Sequence, residues 1–221
     1  TFLVDGSTFS MPDTPENQAE YPQAKTQAAG LGFPILRAVA LLSLATAMVS
    51  GFALGRYSGK ETGETALLRQ LFPLLKPNDL IVADRYYGGW FTIALLQELG
   101  IEVVTRLHQH RAADFRRGRR LGADDHLVGW PKPPRPEWLD PETYDRLPDT
   151  LTVREMKFAV RERGFRTQSV VVVTTLCDAT TITREDLADL YGQRWHAELD
   201  LRNLKSTMSL DVLRCKTPEM I

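Results

Sequence analysis

The sequence predicts an α/β fold in which a mixed β-sheet carries helices on both faces. Short apolar runs with polar ends, at residues 79–84 and 101–107, are typical of buried strands. Segments with apolar residues at helical spacing, at 62–75 and 88–99, alternate with these runs. The resulting order is strand, strand, strand, helix, strand, helix, strand, insertion, helix, which implies a sheet with helices packed on its two faces.

Length and composition indicate a globular protein. The 221 residues are 43% hydrophobic and 25% charged, which excludes disorder as the default and suits one large domain or a domain with an inserted subdomain. The two cysteines, Cys177 and Cys215, form no CxxC pair and no disulfide ladder, so we expect a reducing cytoplasm and no zinc. The chain shows no charged-then-apolar leader, and we expect no signal peptide.

The first part of the chain predicts three strands. Residues 1–11 predict a strand that ends near Asp5 and Gly6, and a polar loop follows up to Gly32. The apolar segment 34–55 predicts a hairpin of two buried strands, with a buried helix as the main alternative. Because eighteen residues, 38–55, carry no charge, a membrane span is the remaining and least favoured alternative.

The second part predicts a β-rich insertion and a last helix. Residues 108–180 are first basic, then proline-rich, and end in two runs rich in β-branched residues. Gly100 before this segment is the expected C-cap of the helix at 88–99, and Thr183 with Asp186 predicts the start of the last helix. The predicted organisation is a catalytic core in two parts around an insertion subdomain: 1–107, 108–180 and 181–221.

Charge is distributed unevenly along the chain. The formal net charge of −1 by itself argues against a nucleic-acid binder. One segment nevertheless carries six arginines against the single acid Asp114, together with His108 and His110; the arginines are Arg106, Arg111, Arg116, Arg117, Arg119 and Arg120. Such a segment suits an enzyme that touches DNA along one surface, and we assign Arg106 to DNA contact.

The last helix places several reactive side chains on one face. At about 100° per residue, six residues fall within an arc of about 100°: Tyr191, Arg194, Trp195, Glu198, Arg202 and Lys205. The simplest interpretation is a solvated face held by pairs such as Arg194–Glu198. Exposed aromatic rings beside cations are uncommon without a ligand, however, so phosphate contacts, base stacking and metal binding by Glu198 are the alternative.

Two aspartates complete a set of three acids. Asp84 follows the apolar run 80–83, and Asp5 follows another at residues 2–4. Each by itself is often only a turn residue. Together with Glu198 they predict a site for divalent cations, because hard cations need carboxylate oxygens and in-line phosphoryl displacement commonly uses two such ions.

Other candidate sites are weaker. The run Asp124-Asp125-His126 contains metal-ligand residue types, but we expect it in a polar loop. The sequence has no GxGxxG or phosphate-loop motif, so we expect no nucleotide cofactor.

The spacing Tyr191-x2-Arg194-x3-Glu198-x6-Lys205 resembles the Tyr-Arg-Glu-Lys signature of bacterial transposases in the insertion-sequence-four family. The likeness extends over nearly the whole chain and includes the phrases at 5–13, 32–34, 82–87 and 211–218. It implies a ribonuclease H-like fold with a β-rich insertion between the second aspartate and the glutamate. It also implies cut-and-paste transposition by strand cleavage and strand transfer.

The resemblance assigns roles to the site residues. Asp5, Asp84 and Glu198 would hold two Mg²⁺ ions, with Mn²⁺ able to substitute. Five residues of the last helix would contact DNA: Tyr191, Arg194, Lys205 and Arg202 at phosphates near the cut end, and Trp195 by stacking on an extruded base.

The resemblance also implies partners and a location. Transposon ends and target DNA are the expected partners, and a homodimer is expected in the synaptic complex of the full-length protein, which would act in the cytoplasm at the nucleoid. Members carry an N-terminal DNA-binding region and a C-terminal pairing tail, so we expect this chain to be a core fragment. The alternatives are a nuclease of the same fold without strand transfer, and an inactive DNA-binding remnant.

Overall fold

The computed structural model describes residues 1–28, 30–160, 168–194 and 212–221. The chain divides into two compact units, and each is considered by itself. The first unit comprises Thr1–Leu3 and Leu75–Trp195. The second unit comprises Val4–Leu74 and His196–Ile221.

The second unit contains a three-stranded arrangement in the order β3-β2-β1. Its elements are β1 (Phe2–Ser10, which begins in the first unit), α1 (Pro15–Glu20), β2 (Ile35–Ser43), β3 (Val49–Arg56), α2 (Glu64–Leu71) and a 3-10 turn at Phe72–Leu74. Strands β2 and β3 are antiparallel, and their register shifts between Leu41 and Leu42.

The predicted hairpin over residues 34–55 is confirmed, and the helical alternative is wrong. The expectation that both strands are buried is also wrong, because Val49 and Phe52 of β3 are 57% and 62% exposed. Among the described residues, β3 pairs only with β2 and ends the strand order of this unit. In the described part of the chain, no helix has the length and apolarity to cross a membrane.

The first strand and the polar loop both differ from the prediction. β1 continues to Ser10, so Asp5 lies within the strand rather than at its end. The loop contains α1, whose N-cap Thr14 accepts a hydrogen bond from the backbone N–H of Asn17. Asn17 is fully buried, and its side chain donates to the carbonyl of Cys215 at 3.0 Å. A six-residue helix has too few turns to show apolar periodicity, which explains why the pattern did not predict it.

The first unit contains a mixed sheet in the order β4-β5-β9-β8-β7-β6. Its strands are β4 (Leu80–Ala83), β5 (Glu102–Arg106), β6 (Arg119–Gly122), β7 (Asp125–Pro131), β8 (Thr150–Val160) and β9 (Gln168–Thr174). Its helices are α3 (Trp90–Glu98), α4 (Pro141–Arg146) and α5, described over 184–194, with a 3-10 turn at Arg85–Tyr87. β4 and β5 are parallel, whereas the pairings of β5 with β9 and along β9, β8, β7 and β6 are antiparallel.

The predicted strands and helices around Asp84 are confirmed. Gly100 follows α3 with a φ of 72°, the left-handed conformation expected of a C-cap glycine. Thr183 and Asp186 exchange the hydrogen bonds of a capping box, with the Asp186 amide donating to the Thr183 hydroxyl at 3.1 Å. The segment 108–180 contains β6 to β9, and β9 joins it to β5 in one sheet. The predicted boundaries of the insertion stay a prediction.

Candidate active site

Asp84 lies at the carboxyl end of β4, as the apolar run before it predicts. Ile81, Val82 and Ala83 are buried, so the strand is anchored in the core and Asp84 emerges half-exposed. Its carboxylate caps the following 3-10 turn by accepting a hydrogen bond from the backbone N–H of Arg85. Ligand sites in sheets with parallel strands gather at this edge.

Strand β5 holds the backbone of Asp84 in place. Thr105 is fully buried, and its hydroxyl donates to the Asp84 carbonyl at 2.8 Å. Gly88, at the end of the turn, packs on the same strand: a Cβ there would lie 3.0 Å from the Arg106 carbonyl oxygen. A side chain there would crowd this oxygen, so glycine favours the close packing of the turn that follows Asp84 against β5.

Arg106 occupies the same edge as Asp84. Ala83 pairs with Thr105 in the parallel register, so the residues after them, Asp84 and Arg106, leave neighbouring strands on the same side. Arg106 is half-exposed. Its predicted contact with DNA stays a prediction, and this placement is compatible with it.

Asp5 lies in the second unit, half-exposed between the buried Val4 and Gly6. The carboxylate of Glu64, in the first turn of α2, occupies the space that a side chain at position 6 would need. Glu64 is therefore a second acid close to the Asp5–Gly6 backbone. Sequence reasoning did not single it out, because an acid in the first turn of a helix is already explained by the helix dipole.

Tyr191 and Arg194 are not exposed on a solvated face. Both are buried, at 5% and 4% exposure. Tyr191 packs in the apolar core with Leu187, and the Arg194 guanidinium lies over its ring, 5.1 Å from the centroid. The helical spacing correctly put the two residues on one face of the helix but could not show which residues cover that face. Phe158 of β8 is one of them, because its ring lies 6.4 Å from the Tyr191 ring. Their predicted DNA contacts stay a prediction.

The other predicted residues of this helix, Trp195, Glu198, Arg202 and Lys205, lie outside the described residues. Within the described ranges, no group of three or more histidine, cysteine, aspartate or glutamate side chains has the arrangement of a metal site. The predicted roles of these four residues stay predictions.

Asp124 lies in an exposed turn before β7, as expected, but the other two residues of the Asp124–His126 run do not lie in a loop. Asp125 and His126 begin β7 and are buried. The Asp125 carboxylate accepts two hydrogen bonds from Arg154, at 2.9 and 2.6 Å. The His126 ring contacts Glu155 through Nε2 at 3.0 Å and the Arg117 carbonyl through Nδ1 at 2.6 Å. These side chains form a buried polar network across β7 and β8, so their role is structural.

Two arginines of the basic segment 106–120 form ion pairs. Arg116 and Arg117 are highly exposed, and both contact Asp114, at 2.8 and 3.3 Å. The hydrogen bond from Arg116 lowers the pKa of Asp114 to about 2. Two of the six arginines therefore already have a counter-charge.

These features agree with comparisons to known proteins. The sequence model of the family described as transposase DDE domain matches residues 1–221, and the chain belongs to this family. It is similar to the transposase InsG for insertion sequence element IS4 of Escherichia coli (strain K12), at 27% identity over 226 residues. That match covers 99% of this chain and 47% of the relative, so the chain spans about half the relative's length.

The comparisons confirm the resemblance to insertion-sequence-four transposases. The predicted α/β fold, with a mixed sheet and helices of the ribonuclease H-like kind, is confirmed as well.

Proposed function

We propose that this chain is the catalytic core of an insertion-sequence transposase, which cleaves DNA strands and joins the cut end to target DNA. The observation that carries the proposal is Asp84, half-exposed at the end of β4 and fixed by Thr105, in a chain of the transposase DDE family. A carboxylate that projects from a fixed backbone at this edge suits phosphoryl transfer, which depends on positioning and on charge stabilisation.

The donor set fits Mg²⁺ or Mn²⁺. Asp84 uses Oδ1 for the Arg85 amide, and its Oδ2 has no hydrogen-bond partner among the described residues. Asp5 adds a second half-exposed carboxylate, and Glu198 is the proposed third ligand. Carboxylate oxygens are the ligands that hard divalent cations require. Bound ions would activate the attacking oxygen and stabilise the leaving oxygen of an in-line displacement.

The remaining site residues would hold the DNA. Arg106, on the edge that carries Asp84, would bind a phosphate beside the scissile bond. Tyr191, Arg194, Arg202 and Lys205 are proposed to hold phosphates of the cut end, and Trp195 to stack on an unpaired base.

The chemistry consists of two displacements at phosphorus. In the first, water attacks a phosphodiester and the 3′-oxygen leaves as a hydroxyl. In the second, that 3′-hydroxyl attacks a target phosphodiester, forming one P–O bond and breaking another. Neither step needs an oxidant or a nucleotide cofactor.

The test is strand cleavage and joining on DNA that carries the element's ends. Asp84→Asn should lower the rate of metal-dependent cleavage by about a thousandfold or more, because it removes a proposed metal ligand. Asp145→Asn, the same change at an exposed position of α4, should leave the rate unchanged. Equal cleavage by the Asp84→Asn variant and the unmodified chain would exclude the proposed site.

The products of the same assay separate the alternatives. Cleavage with joining of the 3′ end to target DNA supports a transposase. Cleavage without joining would indicate a nuclease, and DNA binding without cleavage would indicate an inactive remnant. Pairing of two full-length subunits and action at the nucleoid are further parts of the proposal.

A further inference from the structure

A tight turn follows β5 at the same edge of the sheet as Asp84. The Leu107 amide donates to the Val171 carbonyl at 2.8 Å, and the Arg111 amide donates to the His108 carbonyl at 2.9 Å. The rings of His108 and His110 lie 5.0 Å apart, and the His110 amide donates to Nδ1 of His108. The turn therefore holds two imidazoles and Arg111 in a defined arrangement.

Arg111 is held on an aromatic support. Its guanidinium carbon lies 4.0 Å from the centroid of the Trp130 ring. Trp130 is buried, and its indole N–H donates to Glu155 at 2.8 Å. Its backbone carbonyl accepts from the indole N–H of Trp90 at 3.0 Å. A planar guanidinium stacked on a fixed ring keeps its N–H groups in a set direction, which suits it to bind oxyanions.

Positive charge accumulates around this turn. Burial lowers the pKa of His108, and electrostatic interactions with His110, Arg111 and Arg85 lower it further. Since Nδ1 of neutral His108 accepts a hydrogen bond, its proton is on Nε2, which can donate to a ligand.

The arginines of this cluster differ from Arg116 and Arg117, which both contact Asp114. Among the described residues, no carboxylate lies within salt-bridge distance of Arg85, Arg106 or Arg111. Glu155 raises the pKa of Arg111, against the larger effect of burial. The Glu155 carboxylate is, however, already engaged by Trp130 and His126. Gathered cations without a paired anion attract phosphate.

We propose that Arg85, Arg106, His108 and Arg111 form a binding site for DNA backbone phosphates next to Asp84, with Arg111 stacked on Trp130 at its centre. This rests on the proposed function, because the phosphates belong to the DNA that the enzyme cuts. The site would hold the duplex in register with Asp84 without reading its sequence.

The test is binding of a short fluorescent DNA duplex to the 221-residue chain without metal ions, followed by fluorescence anisotropy over a range of salt concentrations. Arg111→Gln should weaken binding by about tenfold at low salt, because it removes a charged phosphate contact. It should also reduce the slope of log affinity against log salt by about 1.

Arg116→Gln is the matched control. It makes the same change in the same basic segment, but at a side chain that is 89% exposed and paired with Asp114. Its affinity should stay within about twofold of the unmodified chain. Arg85→Gln changes an exposed side chain, so it tests the site without risk to the core, and it should weaken binding several-fold. Circular dichroism of each variant checks the fold.

Two outcomes would overturn the site. One is unchanged affinity and salt slope for Arg111→Gln and Arg85→Gln. The other is equal weakening by Arg116→Gln, which would indicate general charge attraction instead. Failure of the site is distinguishable from failure of the proposed function. A chain that binds DNA through Arg111 but never cleaves it contradicts only the proposed function. A chain that cleaves DNA with no dependence on Arg111 contradicts only the proposed phosphate-binding site.

Discussion

Thr105 shows how one buried hydroxyl can position the backbone of Asp84, the proposed metal ligand at the end of the neighbouring strand. It does not reach the carboxylate itself, but its bond to the Asp84 carbonyl fixes the backbone from which that carboxylate projects. Thr105 is thus a positioning residue, and its effect should depend on the hydroxyl rather than on its size.

Thr105→Val keeps the shape of the side chain and removes the donor. We expect it to slow metal-dependent cleavage and weaken metal binding, because the Asp84 backbone loses its link to β5. The free energy of unfolding should fall by only about 1 kcal/mol, since the Asp84 carbonyl keeps the hydrogen bond from the Tyr87 amide. Thr105→Ser should restore most of the metal affinity. Metal titration of both variants and of the unmodified chain is the measurement. A metal affinity of Thr105→Val equal to that of the unmodified chain would contradict the positioning role.

The buried pair of Asp125 and Arg154 is the clearest residue-scale determinant of stability. Arg154→Met should lower the free energy of unfolding by about 3–5 kcal/mol, because it leaves the Asp125 carboxylate buried without its guanidinium. The double variant Asp125→Leu with Arg154→Met should recover much of this loss, since no uncompensated charge remains. Chemical denaturation measures both, and a double variant less stable than Arg154→Met would contradict this account.

At the scale of elements, short capped turns set where the helices begin. Before α5, the Asp178 carboxylate accepts hydrogen bonds from the hydroxyls of Thr180 and Thr181, at 2.6 and 2.7 Å. Asp186 and Thr183 then close the capping box. The segment that leads into α5 therefore contains a turn that titrates in acid.

The pKa of Asp178 is lowered from 3.8 to about 2, first by the Thr180 hydroxyl and then by Thr181. The folded chain thus binds this proton less tightly than the unfolded chain. The stabilisation by the turn is complete above the unfolded pKa of 3.8 and is lost as the pH falls toward 2. An NMR titration of the Asp178 carboxyl carbon should show a midpoint near 2, and Thr180→Ala should raise it. Equal midpoints would contradict the assigned cause.

At the scale of the whole molecule, local charge matters more than total charge. The net charge is −1, yet six arginines lie within residues 106–120, and two of them contact Asp114. A protein of this kind should bind DNA strongly only at low salt, through a limited number of phosphate contacts.

Metal binding should stabilise the whole chain. If the carboxylates bind Mg²⁺ or Mn²⁺ only in the folded state, a free metal concentration of about one hundred times the dissociation constant raises the free energy of unfolding by about 2.7 kcal/mol. Thermal unfolding with and without metal measures this. The increase should disappear in Asp84→Asn and persist in Asp145→Asn, and its persistence in Asp84→Asn would place the metal elsewhere.

Local patterns predicted a large part of this molecule. The apolar runs predicted β4 and β5, and the apolar segment 34–55 with its glycines predicted the β2–β3 hairpin. Thr183 with Asp186 predicted the start of α5. Each depends on interactions between residues close in sequence, or on burial that a single strand already shows in its composition. Asp84 at the end of β4 followed from the same reasoning.

Only the tertiary structure decided what covers each face and which groups meet. Tyr191 is buried because other residues of the first unit, among them Phe158 of β8, pack against it. Asp125 and His126 are buried in β7, where β8 supplies their partners Arg154 and Glu155. The bond from Thr105 to Asp84 and the stacking of Arg111 on Trp130 likewise join residues far apart in sequence. The sequence by itself determined the family, the β2–β3 hairpin, the strands and helices around Asp84, and the candidate acids, since these are properties of segments. Burial of a side chain and its hydrogen-bond or ion-pair partner depend on the element that packs against it. The spacing of residues along one element carries no information about that second element, which is the physical reason that these contacts were not predicted.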